Sequence, residues 1–136
     1  MPAQLWIILL VALALPVGVE AKTDVIQGAK AKALYETNRA KAVMLVQKHK
    51  IFILRRPDGK EESNPKLVRV RIGQPLYIAN EEDIFVHNVY DLTDASWVLK
   101  KQTPASMAAI MFDTPGTRQL RCAIHPTMEI SVEVTP

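Results

Sequence analysis

The chain has 136 residues, of which 49% are hydrophobic and 23% are charged, and its formal net charge is +3. This length suits one domain, and the apolar fraction is large enough for a packed core, which excludes an intrinsically disordered chain. We expect no nucleic-acid partner, because basic and aromatic residues do not interleave in this sequence.

The first element of the chain is an apolar stretch that runs from Leu5 to Val19 and is interrupted by Pro16. Small residues follow, so residues 1–21 are predicted to form a secretory signal with cleavage after Ala21. The stretch is shorter than the roughly 20 apolar residues that a membrane-spanning helix requires. The alternative is a buried helix or a short membrane-surface anchor, since no Lys or Arg precedes the stretch. We therefore expect a periplasmic or otherwise exported protein.

A basic segment comes next. Residues 22–50 contain seven Lys or Arg against two acidic residues, whereas residues 51–136 contain ten against eleven. Asp24 can cap a helix, and small or apolar residues recur at steps of three and four, so a helix is predicted over 24–42. We interpret residues 22–49 as a basic, helical N-terminal extension, and we expect residues 22–42 to be dispensable for metal binding. It would steer an acidic partner, make weak contact with a membrane surface, or simply be solvated.

Short runs rich in β-branched and aromatic residues make up the remainder of the chain. They are residues 42–46, 51–54, 67–72, 75–79, 85–90, 107–112, 119–122 and 130–134. In 67–72 and 130–134 apolar and polar residues alternate, which predicts strands with one buried face, and Val68, Val70 and Ile72 are expected to point inward. Turn signals separate the runs, so we expect an antiparallel sandwich or barrel over 50–136, with a long connection at 91–106.

A thiol, an imidazole and a thioether lie within seven residues, at Cys122, His125 and Met128, and Cys122 is the only cysteine. An exported protein normally pairs its cysteines, so a single one indicates a bridge between chains, an inert core position or a metal ligand. This donor set favours copper over magnesium, calcium or manganese. Structural zinc would require a fourth strong ligand, such as a second cysteine.

An electron-transfer copper site also requires a second imidazole. Apart from His125, the chain contains only His49 and His87. His49 lies between Lys48 and Lys50, and we interpret it as a structural residue of an exposed basic run. His87 lies in a strand-like run, so it would reach the site from a separate strand.

The spacing C-x-x-H-x-x-M before a final valine-rich strand, with His-Asn about 35 residues upstream, resembles the blue-copper cupredoxins. The short C-x-x-H-P-x-M loop is similar to that of amicyanin, whereas plastocyanin and pseudoazurin have a longer gap before the methionine. The resemblance covers roughly residues 50–136. It implies a cupredoxin-like Greek-key β-sandwich, here with a short N-terminal helical extension. It also implies one type 1 copper ion, with the ligands His87, Cys122, His125 and Met128.

The resemblance further implies that Asn88 tethers the ligand loop and that Pro126 restrains it. After Met128 the chain departs from the family pattern, because Glu129-Ile130 stands where a basic residue and a glycine are common. This departure leaves the identity of the partner open.

The function that these features imply is one-electron transfer between redox proteins outside the cytoplasm, such as a cytochrome or a copper- or quinone-linked enzyme. We expect no catalysis and no small-molecule substrate, because the four-ligand set has no open coordination position. His125, in the loop, is the expected electron exit. Two alternatives stay open: copper storage, tolerance or delivery, and a metal-free sandwich that acts as a binding module.

Overall fold

The computed structural model describes residues 23–136, so the predicted signal at 1–21 lies outside the described residues. The strands are β1 Thr23–Gln27, β2 Val43–Lys48, β3 Ile51–Arg55, β4 Glu61–Ser63, β5 Leu67–Arg71, β6 Leu76–Asn80, β7 His87–Asp91, β8 Val98–Gln102, β9 Met107–Phe112, β10 Gly116–Cys122 and β11 Glu129–Thr135. Helix α1, Ala29–Asn38, is followed by a 3-10 turn, Arg39–Lys41. Across residues 23–136, no helix has the length and apolar character needed to span a bilayer.

The strands form two sheets. Sheet A has the order β1-β9-β6-β2-β3-β4, and sheet B has the order β5-β11-β10-β7-β8. The predicted all-β sandwich is therefore confirmed. Most neighbouring strands are antiparallel, but β2 with β6 and β5 with β11 are parallel, which differs from the wholly antiparallel expectation. Parallel pairing requires a long crossover, and the chain between β2 and β6 supplies one by visiting sheet B at β5.

The main core lies between the two sheets. Its large buried side chains include Leu45, Phe52, Leu54, Leu76, Ile78, Trp97, Leu99, Ile110, Phe112, Leu120, Met128 and Ile130. The predicted alternation is confirmed in β11, where Ile130, Val132 and Val134 are buried. In β5 it holds for the two valines but not for Ile72, which is 40% exposed. The strand ends at Arg71, so Ile72 belongs to the turn that follows.

The helix predicted over 24–42 is only partly correct. Its first part is strand β1, which pairs with β9 along its whole length. Gly28, with φ of 71°, turns the chain out of the strand, and α1 then begins at Ala29. Positive φ is a conformation that glycine adopts without a steric penalty, so this residue permits the change of direction. The residue that α1 buries is Ala31.

Helix α1 covers the outer face of sheet A and creates a second core there. The buried members of this outer cluster are Ala31, Ala42, Met44, Val46, Tyr77, Ala79 and Ala109. Strands β1 and β2 belong to sheet A, and the predicted boundary at 49/50 falls inside the β2–β3 hairpin. The strand pairing thus disagrees with an extension that lies outside the domain. Single-strand patterns could not reveal this, because the outer cluster forms only when β2, β6 and β9 are adjacent.

The connection predicted at 91–106 contains a further strand, β8, which pairs with β7. It follows the buried Trp97, and within it Leu99 points inward while Val98 and Lys100 are exposed. With so few apolar inward positions, the sequence lacks a clear period of two. Strand β4 was missed for a related reason, since all three of its residues are exposed.

Candidate metal centre

Three donor side chains from separate parts of the chain meet at one end of the sandwich. His87 is the first residue of β7, Cys122 is the last residue of β10, and His125 lies in the loop between β10 and β11. Strands β7 and β10 are neighbours, with Cys122 opposite Val89, and this pairing brings the thiol next to His87. The β10–β11 loop then folds back and brings His125 to the same point.

The donor atoms of these residues form a small triangle. The Cys122 Sγ atom lies 3.5 Å from His87 Nδ1 and 3.8 Å from His125 Nδ1, and the two Nδ1 atoms are 3.1 Å apart. Within residues 23–136 this is the one cluster of three or more His, Cys, Asp or Glu donors that could hold a metal ion. His49 is exposed on the β2–β3 turn and is not a member of the cluster.

The triangle has the size that a metal ion requires. Bonds of about 2.0–2.1 Å to nitrogen and about 2.3 Å to sulfur, opened by roughly 100–120°, separate donor atoms by about 3.1–3.8 Å. All three observed separations fall within this range. His87 is 0% exposed and Cys122 is 1% exposed, so an ion bound here would be shielded from solvent on two sides. His125 is only half-buried and forms the solvent-facing side.

Hydrogen bonds close the loop that carries His125. The N–H of Met128 donates to the His125 carbonyl at 2.9 Å, and the N–H of Cys122 donates to the Met128 carbonyl at 3.2 Å. The Met128 side chain is buried in the same cluster as Cys122. Burial here suits both a core methionine and a weak ligand, so its role as a ligand stays a prediction.

Comparisons with known proteins bear on the fold. A scan against models of known protein families found no match, and a search of curated proteins also found none. Among solved structures, amicyanin from Paracoccus versutus (Thiobacillus versutus) is 22% identical with a TM-score of 0.52, over 70% of this chain and 82% of that chain. A Cu(I) methionine-to-glutamine variant of amicyanin is 16% identical with a TM-score of 0.56, over 81% and 97%.

A copper-containing nitrite reductase from Thermus scotoductus SA-01 is also similar, at 20% identity and a TM-score of 0.54. The match covers 70% of this chain but only 22% of the reductase. The chain has the cupredoxin fold. The fold implied by the C-x-x-H-x-x-M resemblance is therefore confirmed.

The Cys122 thiol of this cupredoxin fold has a lowered pKa. Burial by itself raises the pKa of Cys122, but hydrogen bonds outweigh this effect and lower the pKa from 9.0 to about 6. The bonds come from the His87 ring and from the backbone N–H groups of Asn88, Ile124 and His125. Since a thiolate is the metal-binding form of cysteine, the metal-free site at neutral pH already holds its sulfur in that form.

Asn88 connects the ligand loop to the sheet through its backbone. Its carbonyl accepts a hydrogen bond from the Ala123 N–H at 2.9 Å. Its side-chain oxygen accepts a bond from the Lys101 N–H at 2.6 Å and so ties β7 to β8 instead. Main-chain atoms of Asn88 therefore link β7 to the loop, and the tethering role implied for this residue stays a prediction. Pro126 is exposed in the loop, and its restraining role stays a prediction.

Sequence reasoning missed Glu82. This residue is buried in the β6–β7 connection, and its Oε1 atom lies 3.3 Å from Nε2 of His87. The same atom accepts a hydrogen bond from the Lys50 N–H at 2.7 Å. Burial raises the pKa of Glu82, but the N–H groups of Lys50 and His49, together with His87, outweigh it and lower the pKa. An ionised carboxylate therefore lies behind the imidazole, where it fixes the ring orientation.

Three buried amides hold the connection that carries Glu82. Asn80 Nδ2 donates to the carbonyls of Phe85 and Gln102 at 2.9 and 2.7 Å, and its Oδ1 accepts from the Glu82 N–H at 2.9 Å. Gln47 Nε2 in turn donates to Gln102 Oε1 at 2.8 Å. These bonds cross between strands of both sheets, so the position of Glu82 is set by tertiary structure. The sequence shows it only as one member of a polar turn, Glu81–Asp83.

Proposed function

We propose that this chain is an exported type 1 copper protein that carries single electrons between redox proteins. His87, Cys122, His125 and the weak axial ligand Met128 would hold the copper ion. The observation that supports this most is the convergence of two imidazole nitrogens and a thiol within 3.1–3.8 Å. Two imidazoles, one thiolate and a weak thioether are the donor set of electron-transfer copper sites. The similar solved structures include a Cu(I) form of amicyanin.

The bound copper ion would supply the one-electron change between Cu(II) and Cu(I). The protein would keep the ligands in place during that change. His87 is held by its strand and by Glu82, while Cys122 is held by β10 and by the N–H groups of the loop. Because the donors are fixed before any metal binds, little rearrangement accompanies electron transfer. Four protein ligands leave no position for a substrate, so we propose no enzymatic activity.

Export and redox partners follow from the same proposal. The apolar stretch at 5–19, followed by small residues, is typical of a secretory signal and supports export. The burial of His87 and Cys122 favours a permanently held ion over one that is handed to other proteins.

The test is to purify the protein from its native compartment, measure its copper content and record a voltammogram before and after exposure to a chelator. We expect one copper per chain, a reversible one-electron wave and retention of the metal. Copper that cycles poorly and passes readily to the chelator would favour storage or delivery. A chain that never contains copper would favour the metal-free binding module.

Replacing Met128 should shift the reduction potential while the protein keeps its copper. Met128→Leu removes a donor that stabilises Cu(II), so the potential should rise, whereas Met128→Gln supplies a better donor and should lower it. Each tenfold change in relative affinity corresponds to about 59 mV for one electron. Voltammetry measures the shift, and Met111→Leu, under helix α1, is the matched control. An unchanged potential in both variants would make Met128 a core residue only.

Replacing Glu82 by Gln should weaken Cu(II) binding roughly 10–100-fold, the usual effect of losing a partner that supports a metal ligand. The neutral amide keeps the shape of the side chain but removes the charge that makes His87 a better donor to Cu(II), so the potential should also rise. The control is Glu81→Gln, whose carboxylate binds Arg55 at 2.7 Å on the surface. If both variants bind Cu(II) as tightly as the parent, Glu82 does not support the metal site.

A further inference from the structure

Exposed apolar side chains lie beside the half-buried ring of His125 and in the β6–β7 connection that contacts it. Ile84 is 76% exposed, Ile124 is 49% exposed and Phe85 is 38% exposed. The Phe85 and His125 rings meet edge to face with centroids 6.0 Å apart, and Ile124 precedes His125 in the loop. We call Ile84, Phe85 and Ile124 the apolar patch. Large apolar residues that cluster in this way on the surface indicate a contact site for another molecule.

Lysines of the β2–β3 turn lie on one side of the apolar patch. The Nζ atom of Lys50 lies 4.3 Å from the centroid of the Phe85 ring, and Lys48 is exposed at the end of β2. His49 and Lys50 have φ of 54° and 58°, as the two central residues of a tight hairpin turn require. The Lys50 N–H donates a hydrogen bond of 2.7 Å to the buried Glu82 carboxylate, and this bond fixes the turn. The turn conformation and this hydrogen bond therefore fix the position of Lys50 beside the patch.

A second pair of lysines, Lys100 and Lys101 of β8, is exposed near the ligand loop. The Lys101 N–H donates to the Asn88 side chain, and the Asn88 carbonyl accepts from Ala123 at the start of the loop. Two hydrogen bonds through one residue thus connect the second pair to the loop that carries Ile124. This pair and the β2–β3 turn belong to different sheets, so positive charge reaches the metal-site end from both sheets.

Nearby acidic groups do little to neutralise these lysines. Glu82 is buried against His87, Glu81 binds Arg55 at 2.7 Å, and Glu129 binds Arg121 at 3.0 Å. Of the acidic residues in the β6–β7 connection, only Asp83 is exposed. The surface around the patch is therefore apolar at its centre and positive at its rim.

We propose that this surface docks a redox protein whose contact face is acidic around an apolar centre. The proposal rests on the proposed electron-transfer function and names the partner's chemistry. The apolar patch would let the partner approach His125 closely, while the lysines would speed and orient the encounter, since complementary charge acts mainly on the association rate. The steering charge thus lies at the β2–β3 turn and at β8. Lys48 and Lys50 are the only members of the basic 22–50 segment that this assignment uses.

The kinetic test uses a reduced plant-type ferredoxin, an acidic one-electron donor, and the copper-loaded protein in a stopped-flow instrument. The rate constant should fall as salt is added, because screening weakens attraction between opposite charges. At low salt the double variant Lys50→Gln/Lys101→Gln should react about ten-fold more slowly, at the lower end of the range for electrostatic steering. At high salt the parent and the variant should converge.

The matched control is Lys41→Gln/Lys60→Gln, which makes the same change in net charge. Lys41 precedes the start of β2, and Lys60 lies in the turn after the end of β3, so both lie at the other end of sheet A from the β2–β3 turn. We expect the control to react within about two-fold of the parent, because distant charges are screened. A rate that rises with salt, or equal rates for the two double variants, would overturn the proposal.

A second measurement uses the metal-free chain and needs no redox activity. Amide NMR signals are recorded while oxidised ferredoxin is added, and shifts are expected at Lys50, Ile84, Phe85, Ile124 and Lys101. Shifts elsewhere, or none, would contradict docking at this surface even if the copper cycles normally. Conversely, a copper that does not cycle would defeat the proposed function, and the NMR result would still decide the docking. If the protein binds anionic lipid vesicles but shows no contact with ferredoxin, the proposal is wrong and the surface binds a membrane instead of a protein.

Discussion

Cys122→Ser should abolish the intense visible absorption of the copper-loaded protein and leave the domain folded. The colour of such a site is a charge-transfer absorption from the thiolate to Cu(II), and Cys122 is the only thiol in the chain. A hydroxyl does not ionise near neutral pH, whereas the pKa of Cys122 is lowered to about 6. Serine has nearly the same shape, and burying its hydroxyl costs about 1–3 kcal/mol, which a stable domain tolerates.

The measurement combines the visible spectrum, the copper content and far-UV circular dichroism of the same sample. Thr127→Ser is the control, because Thr127 is exposed in the same loop and offers no donor of the required kind. This control should keep the band. A Cys122→Ser protein that still shows the intense band would refute the ligand assignment. If the variant unfolds, the copper content and visible spectrum of the parent still test the assignment, because Cys122 is the only thiol in the chain.

A chain that begins at Val43 should not fold stably. It lacks β1, so the edge of β9 is unpaired, and it lacks α1, so the outer cluster faces water. Exposing Tyr77, Met44 and Val46 alone costs on the order of 5 kcal/mol, at about 1.5–3 kcal/mol for each large side chain. This is a large share of the roughly 5–15 kcal/mol that holds a typical domain together. The sequence by itself predicts instead that residues 22–42 are dispensable for metal binding.

The measurement is chemical denaturation of the truncated chain, compared with a chain that lacks only residues 1–21 and that we expect to fold. A point variant separates packing from chain length. Ala31→Glu places a charge in the outer cluster and should strongly destabilise the protein, whereas Ala33→Glu lies on the exposed side of α1 and should have little effect. If the truncated chain is stable and binds copper, the segment is an independent extension after all.

The strands that the sequence predicts share a local cause. Each of the eight apolar runs coincides with a strand, because a strand buried on at least one face needs apolar residues at short intervals. The three strands that the sequence does not predict lack this pattern. Strand β4 is wholly exposed, β8 buries little besides Leu99, and β1 is short and continues almost directly into a helix. These strands form because they pair with strands from other parts of the sheet, and the local pattern of apolar residues does not reveal such pairing.

The candidate site divides in the same way. Cys122, His125 and Met128 are close in sequence, so their chemistry is recognisable from residue type and spacing alone, and the scarcity of histidines points to His87. Glu82 and Lys50 are not recognisable in this way, because a glutamate in a polar turn and a lysine in a basic run are ordinary surface residues until their neighbours are known. Asn88 is recognisable from its place after His87, but the sequence does not show that its backbone carbonyl is the atom that bonds to the loop.

The sequence by itself therefore determined the class of fold and the donor atoms that a metal would meet, since both depend on residue type and short-range spacing. Tertiary structure alone decided three further features: that residues 23–48 belong to the domain, that a buried carboxylate lies behind His87, and that lysines from both sheets border the apolar patch. The reason is that burial, charge pairing and surface patches are properties of side chains brought together across the sheets. Residues such as Lys50 and Glu82, 32 positions apart in the chain, become one structural unit only through that packing.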